Sequence, residues 1–347
     1  MSQLFEPLSI RGVTLKNRIA MSPMCQYSAT EEGMPTDWHM AHYTARAVGG
    51  AGLIIFEATA VEARGRISVN DLGLYDDRQV EALARIVRFC QSQGARVAVQ
   101  LAHAGRKAWS STKARGPATP VAPSALPFSD EWVTPAALSE ADIDQVIEAW
   151  RTAAQRAQDA GFDFVEIHGA HGYLVHQFLS PLSNHRQDQY GGSFENRVRF
   201  LRRVVEAIRS VWKEQSPLFL RVSASDYREG GLTPDDLAQV AAVAKGWGVD
   251  LIDVSSGGNV PVAPPTGPGY QVPFSEHIRR TAGVMTGAVG LITQPETAEE
   301  IIRNGRADLV VLGRELLRDP YWPLRAAREL GQDVDWPVQY LRAKPRH

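Results

Sequence analysis

The stretch Phe164-Val165-Glu166-Ile167-His168-Gly169-Ala170-His171-Gly172-Tyr173 changes character half-way along its length. Its first half alternates apolar and polar residues among good β-formers, which predicts a strand. Its second half holds two histidines three residues apart, two glycines and a tyrosine. In parallel α/β proteins the chemistry lies at the carboxyl ends of the strands. The stretch therefore predicts a strand that ends at an active site, in preference to a strand followed by incidental histidines.

The composition is that of an ordinary globular protein, with 347 residues, 44% of them hydrophobic and 22% charged. A net charge of -2 without a sustained basic run argues against nucleic acid as a partner. We expect no membrane association either, because no apolar stretch could span a bilayer and the N-terminus has no signal-peptide pattern. The two cysteines, Cys25 and Cys90, cannot form a disulfide framework or a Cys-x-x-Cys site. These features predict a cytoplasmic enzyme.

Eight short apolar runs recur along the chain, and each ends near small or polar residues. Eight βα units, with no sequence left for a second domain, predict an α/β fold in which one (β/α)₈ TIM barrel spans residues 1–347. A doubly wound sheet is the alternative, but no Gly-x-Gly-x-x-Gly follows any of the runs. The predicted strands are Arg18–Met24, Leu53–Ala58, Arg96–Leu101, Phe164–His168, Leu218–Ser223, Leu251–Ser255, Val284–Val289 and Leu309–Gly313.

Helical periodicity fills most of the intervals between these runs. Thr233 and Pro234 have the pattern of a helix start, an N-cap residue followed by proline in the first turn. The long segment 104–141 follows the third strand and is rich in Pro, Ser, Thr and Ala, which predicts a lid over the barrel mouth rather than a poorly ordered loop. The predicted helices are Arg78–Gln93, Ile143–Ala160, Asn196–Lys213, Pro234–Gly246, Pro295–Asn304 and Pro320–Leu330.

Residues at the carboxyl ends of barrel strands converge on one site. Gly287, Gly290 and Gly313 follow strands seven and eight, where freed backbone N–H groups commonly bind phosphate, and Arg314 adds a cation. The alternative is that these glycines only allow tight turns. Gln100 and Arg221 face each other across the mouth and could hydrogen-bond a planar heterocycle.

Arg221 could instead form an ion pair with Glu166, which has the same inward parity on its strand. Both interactions could also hold together. An anion site, amide and guanidinium donors, and a floor of small residues fit flavin mononucleotide, FMN.

Long motifs in this chain resemble those of the old yellow enzymes, which are flavin-dependent ene-reductases, and within them the thermophilic-like subgroup. The resemblance covers nearly the whole chain, and several of its motifs are long and specific. The motifs are Leu15–Ile19, Ser22–Cys25, Gln100–Lys107, His168–Leu174, Ser183–Arg186, Tyr190–Arg197, Arg221–Ala224 and Gly313–Pro320.

The resemblance implies an FMN site over the barrel mouth and a role for each matching residue. His168 and His171 match the pair that holds the carbonyl oxygen of the substrate, and Tyr173 matches the proton donor. Tyr27 matches a substrate contact, and Cys25 matches a thiol that hydrogen-bonds the flavin edge and tunes its potential. The positions that match flavin contacts are Ser22, Pro23, Met24, Cys25, Ala58, Gln100, Arg221, Gly313 and Arg314.

The same resemblance implies a ping-pong reaction. NADPH or NADH would load the flavin, and hydride would then pass from flavin N5 to the Cβ atom of an enone-type substrate. Residues 332–347 resemble a tail whose arginine, here Arg342, reaches into the active site of a neighbouring subunit. This implies a homodimer or homotetramer, whereas the alternative is a frayed basic tail in solvent.

Three other interpretations remain open on the residues alone. A metal-dependent hydrolase could use His39, His42, His103 and other histidines as zinc ligands. Against it, the first strand ends in Ser-Pro-Met-Cys and no acidic residue stands at the mouth beside His168. We therefore expect no metal, and we expect His39 and His42 to pack or cap a helix. A larger thioester reductase would need a cluster-binding cysteine set and a C-terminal extension. A flavin carrier without catalysis is the third possibility.

Overall fold

A computed structural model describes residues 2–108 and 120–345. Eight parallel strands close into a barrel in which each strand pairs with the next along the chain and the last pairs with the first. The predicted (β/α)₈ TIM barrel is therefore confirmed. We number its strands β1 Ile19–Met21, β2 Leu53–Ala60, β3 Arg96–Ala102, β4 Phe164–Gly169, β5 Leu218–Ser223, β6 Leu251–Ser255, β7 Met285–Ala288 and β8 Leu309–Leu312.

Helices follow the strands and cover the outside of the barrel. In the described part of the chain the main ones are α1 Asp37–Val48, α2 Arg78–Ser92, α3 Glu140–Asp159, α4 Arg199–Arg209, α5 Pro234–Trp247, α6 Val272–Ala282, α7 Pro295–Arg303 and α8 Trp322–Glu329. The sequence pattern missed α6. It also missed two short helices beside the site, Leu174–Leu179 and Arg314–Arg318.

Several helix boundaries differ from the predictions by a few residues, and two of the differences have clear local reasons. The predicted helix Asn196–Lys213 is divided, because Ser193 caps a separate turn at Phe194–Arg197 and α4 begins only at Arg199. The predicted start at Pro320 was wrong: α8 begins at Trp322, and it is Pro323 that occupies its first turn. The prediction for α5 was confirmed, since Thr233 caps Pro234–Trp247 through the backbone N–H of Asp236.

The lower end of the barrel is filled with apolar side chains. A two-stranded hairpin, Leu8–Ile10 paired with Val13–Leu15, closes this end. Its buried side chains pack against inward residues of the strands, among them Phe164 and Phe219. Because each large side chain buried here stabilises the fold by about 1.5–3 kcal/mol, this end is a stable base. The candidate active site lies at the opposite end of the barrel, the mouth, where the strands have their carboxyl ends.

The predicted lid segment is only partly described, because residues 109–119 lie outside the described residues. Its described parts include a short 3₁₀ turn, Gly105–Lys107, and two strands, Val121–Ala122 and Ala136–Ala137, that pair with each other. Arg106 donates a 2.6 Å hydrogen bond to the backbone oxygen of Asn259, which ties the start of the segment to the loop after β6. Its function as a lid stays a prediction.

None of the described helices is both long enough and apolar enough to cross a membrane.

Candidate active site

The three side chains that the sequence analysis singled out lie at or just after the end of strand β4. His168 is the last inward residue of the strand, and His171 and Tyr173 follow in the turn before the helix Leu174–Leu179. The rings of His168 and His171 stand edge to face with centroids 5.3 Å apart, and the centroids of His168 and Tyr173 are 4.8 Å apart. The structure thus brings two imidazoles and a phenol together at the mouth.

The turn that carries His171 is held in an unusual backbone conformation. His171 has φ 58°, in the left-handed region that side-chain-bearing residues seldom adopt. Its backbone N–H donates to Oγ of Ser223 at 2.9 Å. The next N–H, of Gly172, donates to Nδ1 of the buried His176, whose Nε2 lies 3.0 Å from Oδ1 of Asp226. These contacts stabilise a strained turn that aims His171 and Tyr173 at the mouth.

The electrostatic surroundings keep both imidazoles neutral. Burial, followed by the positive charges of Arg221 and Lys107, holds the pKa of His168 well below its usual range. The pKa of His171 is lowered in the same way, by burial first and then by Arg221. Each ring therefore offers one N–H donor at neutral pH. Burial raises the pKa of Tyr173, so its phenol keeps its proton.

Lys107 is a site residue that lies in a matching motif but was assigned no role in the sequence analysis. Its Nζ donates to the backbone oxygens of His171, at 2.9 Å, and of Gly258, at 3.0 Å. The ammonium also lies 5.1 Å from the ring centroid of Tyr173 and 4.7 Å from that of Phe128. It therefore links the lid segment to the mouth and places a positive charge beside Tyr173.

The loop after β1 forms a further part of the mouth, next to Tyr173. Cys25 and Tyr173 pack against a cluster of small and apolar residues that includes Ala58. The Tyr27 side chain interacts electrostatically with the thiol of Cys25. Tyr27 has φ 50°, a second left-handed residue at the mouth, and burial followed by the charges of Cys25 and Asp71 raises its pKa.

The floor of the mouth is a layer of buried polar groups above the apolar base. Gln100 donates a 2.7 Å hydrogen bond from Nε2 to Oε1 of Glu166. Nη1 of Arg221 donates to Oγ of Ser22 at 3.0 Å and lies 3.4 Å from Oδ2 of Asp253. Arg221 therefore contacts the carboxylate of Asp253, the residue opposite it in the pairing of β5 with β6. Glu166 instead contacts Gln100, the residue opposite it in the pairing of β3 with β4.

A cavity of about 170 Å³ opens beside this floor between the ends of the last three strands. Gly290, Gly313 and Arg314 line it together with Arg221 and Ser255. A Cβ on Gly313 would lie 3.6 Å from Sδ of Met24 in the loop that begins Ser22-Pro23, so the β1 and β8 ends meet here.

Gly287 lies deeper, inside β7. A Cβ at this position would come within 2.9 Å of Cγ2 of Val311, so close packing requires glycine there. Gly287 is not one of the described residues that line the 170 Å³ cavity. Gly290, with φ 134°, has the conformation that favours glycine and does line the cavity.

Comparison with known proteins identifies the family. The model of the NADH:flavin oxidoreductase / NADH oxidase family matches residues 3–333. The chain belongs to this family, the old yellow enzymes. It is 56% identical over 342 residues to an NADPH dehydrogenase of Geobacillus sp. (strain WCH70), covering 98% of both chains.

Solved structures of other old yellow enzyme relatives have the same fold. Morphinone reductase superposes with a TM-score of 0.82 at 30% identity, with coverage of 97% of this chain and 91% of that one. A 2-naphthoyl-CoA reductase superposes with a TM-score of 0.87 at 26% identity over 95% of this chain. This chain spans about half of that reductase, 52% of its length.

Membership of the old yellow enzyme family makes the chain a flavin-dependent oxidoreductase with FMN as cofactor and a nicotinamide nucleotide as reductant. The residues at the mouth fit this group. Within the described residues, Nε of Arg221 is buried without a hydrogen-bond partner, as is Oε2 of Glu166. The glycine-lined cavity with Arg314 suits the phosphate. No group of three or more His, Cys, Asp or Glu side chains in the described residues could hold a metal ion.

His39, His42 and His103 have structural contacts in this old yellow enzyme. His39 and Thr36 form the capping box of α1, as expected from the sequence, and His42 is buried with its ring edge to face on Tyr43. His103 accepts the N–H of Gly105 at Nδ1, and its Nε2 lies 2.7 Å from Oε1 of Glu62. His103 therefore anchors the loop after β3.

The C-terminal tail lies on the surface of the chain. Residues Val338–Ala343 form a 3₁₀ helix, and Arg342 in it is exposed. Tyr340 packs its ring 6.2 Å from that of Tyr321, so this part of the tail is anchored rather than frayed. Contact of Arg342 with a neighbouring subunit stays a prediction.

Proposed function

We propose that this old yellow enzyme reduces the activated C=C bond of α,β-unsaturated carbonyl and similar electron-poor compounds, with NADPH or NADH as the reductant. The observation that supports it most is the convergence of His168, His171 and Tyr173 at the end of β4, beside the cavity suited to FMN. The name of the Geobacillus relative, NADPH dehydrogenase, supports the choice of reductant. A structure of morphinone reductase in complex with tetrahydroNAD supports a nicotinamide at such a mouth.

FMN would be held along three walls of the mouth. Gly290, Gly313 and Arg314 would bind its phosphate, and Gly287 would support them from inside β7. Gln100 and Arg221, whose Nε has no partner within the described residues, would hydrogen-bond the pyrimidine edge of the ring. The remaining contacts that we propose are Ser22, Pro23, Met24, Cys25 and Ala58.

FMN supplies hydride chemistry when bound, accepting hydride from the nicotinamide and delivering it to Cβ of the alkene. His168 and His171 would donate N–H groups to the carbonyl oxygen as negative charge develops on it. Because both imidazoles are neutral, they stabilise this charge as hydrogen-bond donors and do not protonate the oxygen. Tyr27 would hold the same end of the substrate.

Tyr173 would deliver a proton to Cα. Its raised pKa keeps the phenol protonated until charge has built up on the substrate. Cys25 would contact the flavin edge, beside Tyr27. Segment 104–141 would act as a lid. Arg342, in the tail 332–347, would complete the site of a neighbouring subunit in a homodimer or homotetramer.

The test is a pair of half-reactions measured separately by stopped-flow spectroscopy. Anaerobic NADPH should bleach the flavin absorbance quickly, and single-turnover reoxidation should be fast with some members of a panel of enones, maleimides and nitroalkenes. Slow bleaching by both NADPH and NADH would favour a flavin carrier. Fast bleaching without reoxidation by any alkene would leave a dehydrogenase that is not an ene-reductase.

A further inference from the structure

A buried carboxylate, Glu57, holds the loop that carries Cys25 and Tyr27. Glu57 lies in β2, has no exposed surface, and accepts the backbone N–H of Gln26 at Oε2 with a distance of 2.7 Å. Gln26 stands between Cys25 and Tyr27 in the chain. Within the described residues, the main-chain N–H that this carboxylate accepts thus belongs to the residue between two proposed site residues.

The other partners of Glu57 are donors as well. Its own N–H donates to Oη of Tyr43 at 2.9 Å, so the Tyr43 hydroxyl donates its proton to Oε1 of Glu57, also at 2.9 Å. Nδ1 of His39 accepts the Thr36 N–H at 3.0 Å, so its Nε2 carries a proton; this atom lies 3.4 Å from Oε1 of Glu57 but makes no hydrogen bond within the described residues. Both carboxylate oxygens therefore act only as acceptors, in a fixed orientation.

A β-bulge explains why an acid from a barrel strand reaches this loop. The pairing of β2 with β3 shifts between Phe56 and Thr59. Phe56 faces outward, with its ring stacked 3.8 Å from Tyr43. Strict alternation would turn Glu57 into the barrel and the next residue outward. Instead Glu57 contacts α1, and Ala58 packs at the mouth, as expected when an extra residue re-aims a strand beside a site.

Gln26 makes further hydrogen bonds, both within the loop and to helix α1. Its Nε2 donates to the backbone oxygen of Met24 at 2.7 Å, and its Oε1 accepts Nε1 of Trp38 from α1 at 3.0 Å. Its backbone oxygen accepts Oγ of Ser28 at 2.9 Å. The left-handed conformation of Tyr27 follows directly after this anchored residue. A strained residue keeps its conformation only where neighbouring contacts enforce it.

We infer that Glu57 is a positioning residue of the active site, which sets the Cys25 thiol and the Tyr27 hydroxyl by fixing the Gln26 amide between them. The inference rests on the roles proposed for Cys25 and Tyr27. Glu57 itself lies behind the loop and contacts neither the substrate nor FMN in this arrangement.

The first test is the rate at which iodoacetamide alkylates Cys25 in the FMN-loaded enzyme. Cys90 is fully buried, so Cys25 is the thiol that is measured. Glu57→Leu should change this rate about tenfold, because it removes the acceptor for the Gln26 amide. Glu57→Gln keeps one acceptor oxygen and should restore most of the wild-type rate. Tyr43→Phe is the matched control, since it removes a bond to the same carboxylate but leaves the Gln26 contact.

The second test is a double-mutant cycle on the midpoint potential of bound FMN. Glu57→Leu should shift this potential, and the shift should vanish in a Cys25→Ser background if it acts through the thiol. An unchanged potential in Cys25→Ser alone would refute the proposed role of Cys25 and leave the alkylation test valid. The inference is overturned if Glu57→Leu only lowers the melting temperature while the Cys25 alkylation rate stays at the wild-type value. If Glu57→Leu does not fold, Gln26→Pro, which deletes the N–H that Glu57 accepts, replaces it in both tests.

Discussion

Nε2 of Gln100 donates its hydrogen bond to Oε1 of Glu166, at 2.7 Å, between residues in register on β3 and β4. This bond uses the donor end of the amide inside the barrel. Burial, and after it the negative charge of Asp253, raises the pKa of Glu166 to about 8. The folded protein therefore keeps a proton in the buried Glu166–Asp253 pair up to a higher pH than the unfolded chain does.

Glu166 should make the folded protein less stable as pH rises. Its pKa is higher in the folded state than its ordinary value of 4.5, so folding takes up a proton between these values. The free energy of unfolding should fall from about pH 5 to about pH 8, by a few kcal/mol. In urea titrations at saturating FMN, Glu166→Gln should remove most of this fall. Exposed Glu206→Gln is the control and should follow the wild-type pH curve. Parallel curves for wild type and Glu166→Gln would show that Glu166 does not titrate on unfolding.

Tyr173→Phe should separate the two half-reactions. The phenylalanine ring keeps the contact with Lys107 but has no proton to give to Cα. Reoxidation of the reduced flavin by an enone should slow by about 10²–10⁴-fold, the range for loss of a general acid. Reduction by NADPH should stay close to the wild-type rate, as stopped-flow bleaching will show. Tyr27→Phe is the control variant and should mainly weaken enone binding. Equal losses in both half-reactions of Tyr173→Phe would refute the role as proton donor.

His168 and His171 should bind phenolates, which resemble the charged oxygen of the reacting substrate. A hydrogen bond to a charged group contributes about 1.5–3 kcal/mol, so each histidine-to-alanine change should weaken phenolate binding about 10- to 100-fold. The long-wavelength absorbance of the flavin–phenolate complex measures this affinity. His185→Ala, an exposed histidine, is the control.

The pH dependence of the same titration gives an independent check. Because burial, Arg221 and Lys107 hold the pKa values of both histidines well below the usual range, neither ring titrates near neutral pH. The affinity should therefore rise with pH only through the ionisation of the phenol itself. An additional transition near pH 6 that disappears in His168→Ala would show that the ring is charged in the free enzyme.

The strand positions and the histidine–tyrosine turn could be read from the sequence because both depend on local pattern. The eight apolar runs and the change of character after Ile167 are properties of neighbouring residues. The alternation of inward and outward side chains did not identify the partner of Arg221. Glu166 also points into the barrel, but the residue opposite Arg221 on the neighbouring strand is Asp253. The register depends on which residues pair across neighbouring strands, and the hydrophobic pattern of the sequence does not determine this pairing.

Other parts of the site depend on irregularities that pattern reasoning does not see. The position of Glu57 results from a β-bulge, since regular alternation would have placed it inside the barrel. An acid in the middle of the apolar run Leu53–Ala60 was the available signal. Lys107 was part of a matching motif, but only the folded chain shows its ammonium beside Tyr173.

Lys107→Met should discriminate between charged and neutral ligands. It removes a cation beside the mouth and two hydrogen bonds that join the loops after β4 and β6. Phenolate affinity should fall about tenfold, because the variant loses the attraction between the Lys107 ammonium and the negatively charged ligand. The KM for a neutral enone should change much less. Lys107→Arg keeps the charge and should restore part of the phenolate affinity. An equal loss for both ligand types would mean that Lys107 only supports the turn.

Arg342 provides a direct test of a shared active site. Val338 is 73% exposed and Leu341 50% exposed on the same 3₁₀ helix, a surface suited to burial against a second copy. Val338→Asp with Leu341→Asp should therefore lower the mass measured by light scattering, whereas Arg342→Ala should keep the wild-type mass and raise the KM for the enone.

Mixed oligomers of Arg342→Ala and Tyr173→Phe subunits then decide where Arg342 acts. A site with intact Tyr173 would receive Arg342 from its Tyr173→Phe neighbour, so at low enone concentration the two variants refolded together should be more active than the average of the two parents. Each variant refolded with itself is the control. If Arg342 acts within its own chain, no subunit of the mixture holds both residues, and the activity will equal the average of the two parents.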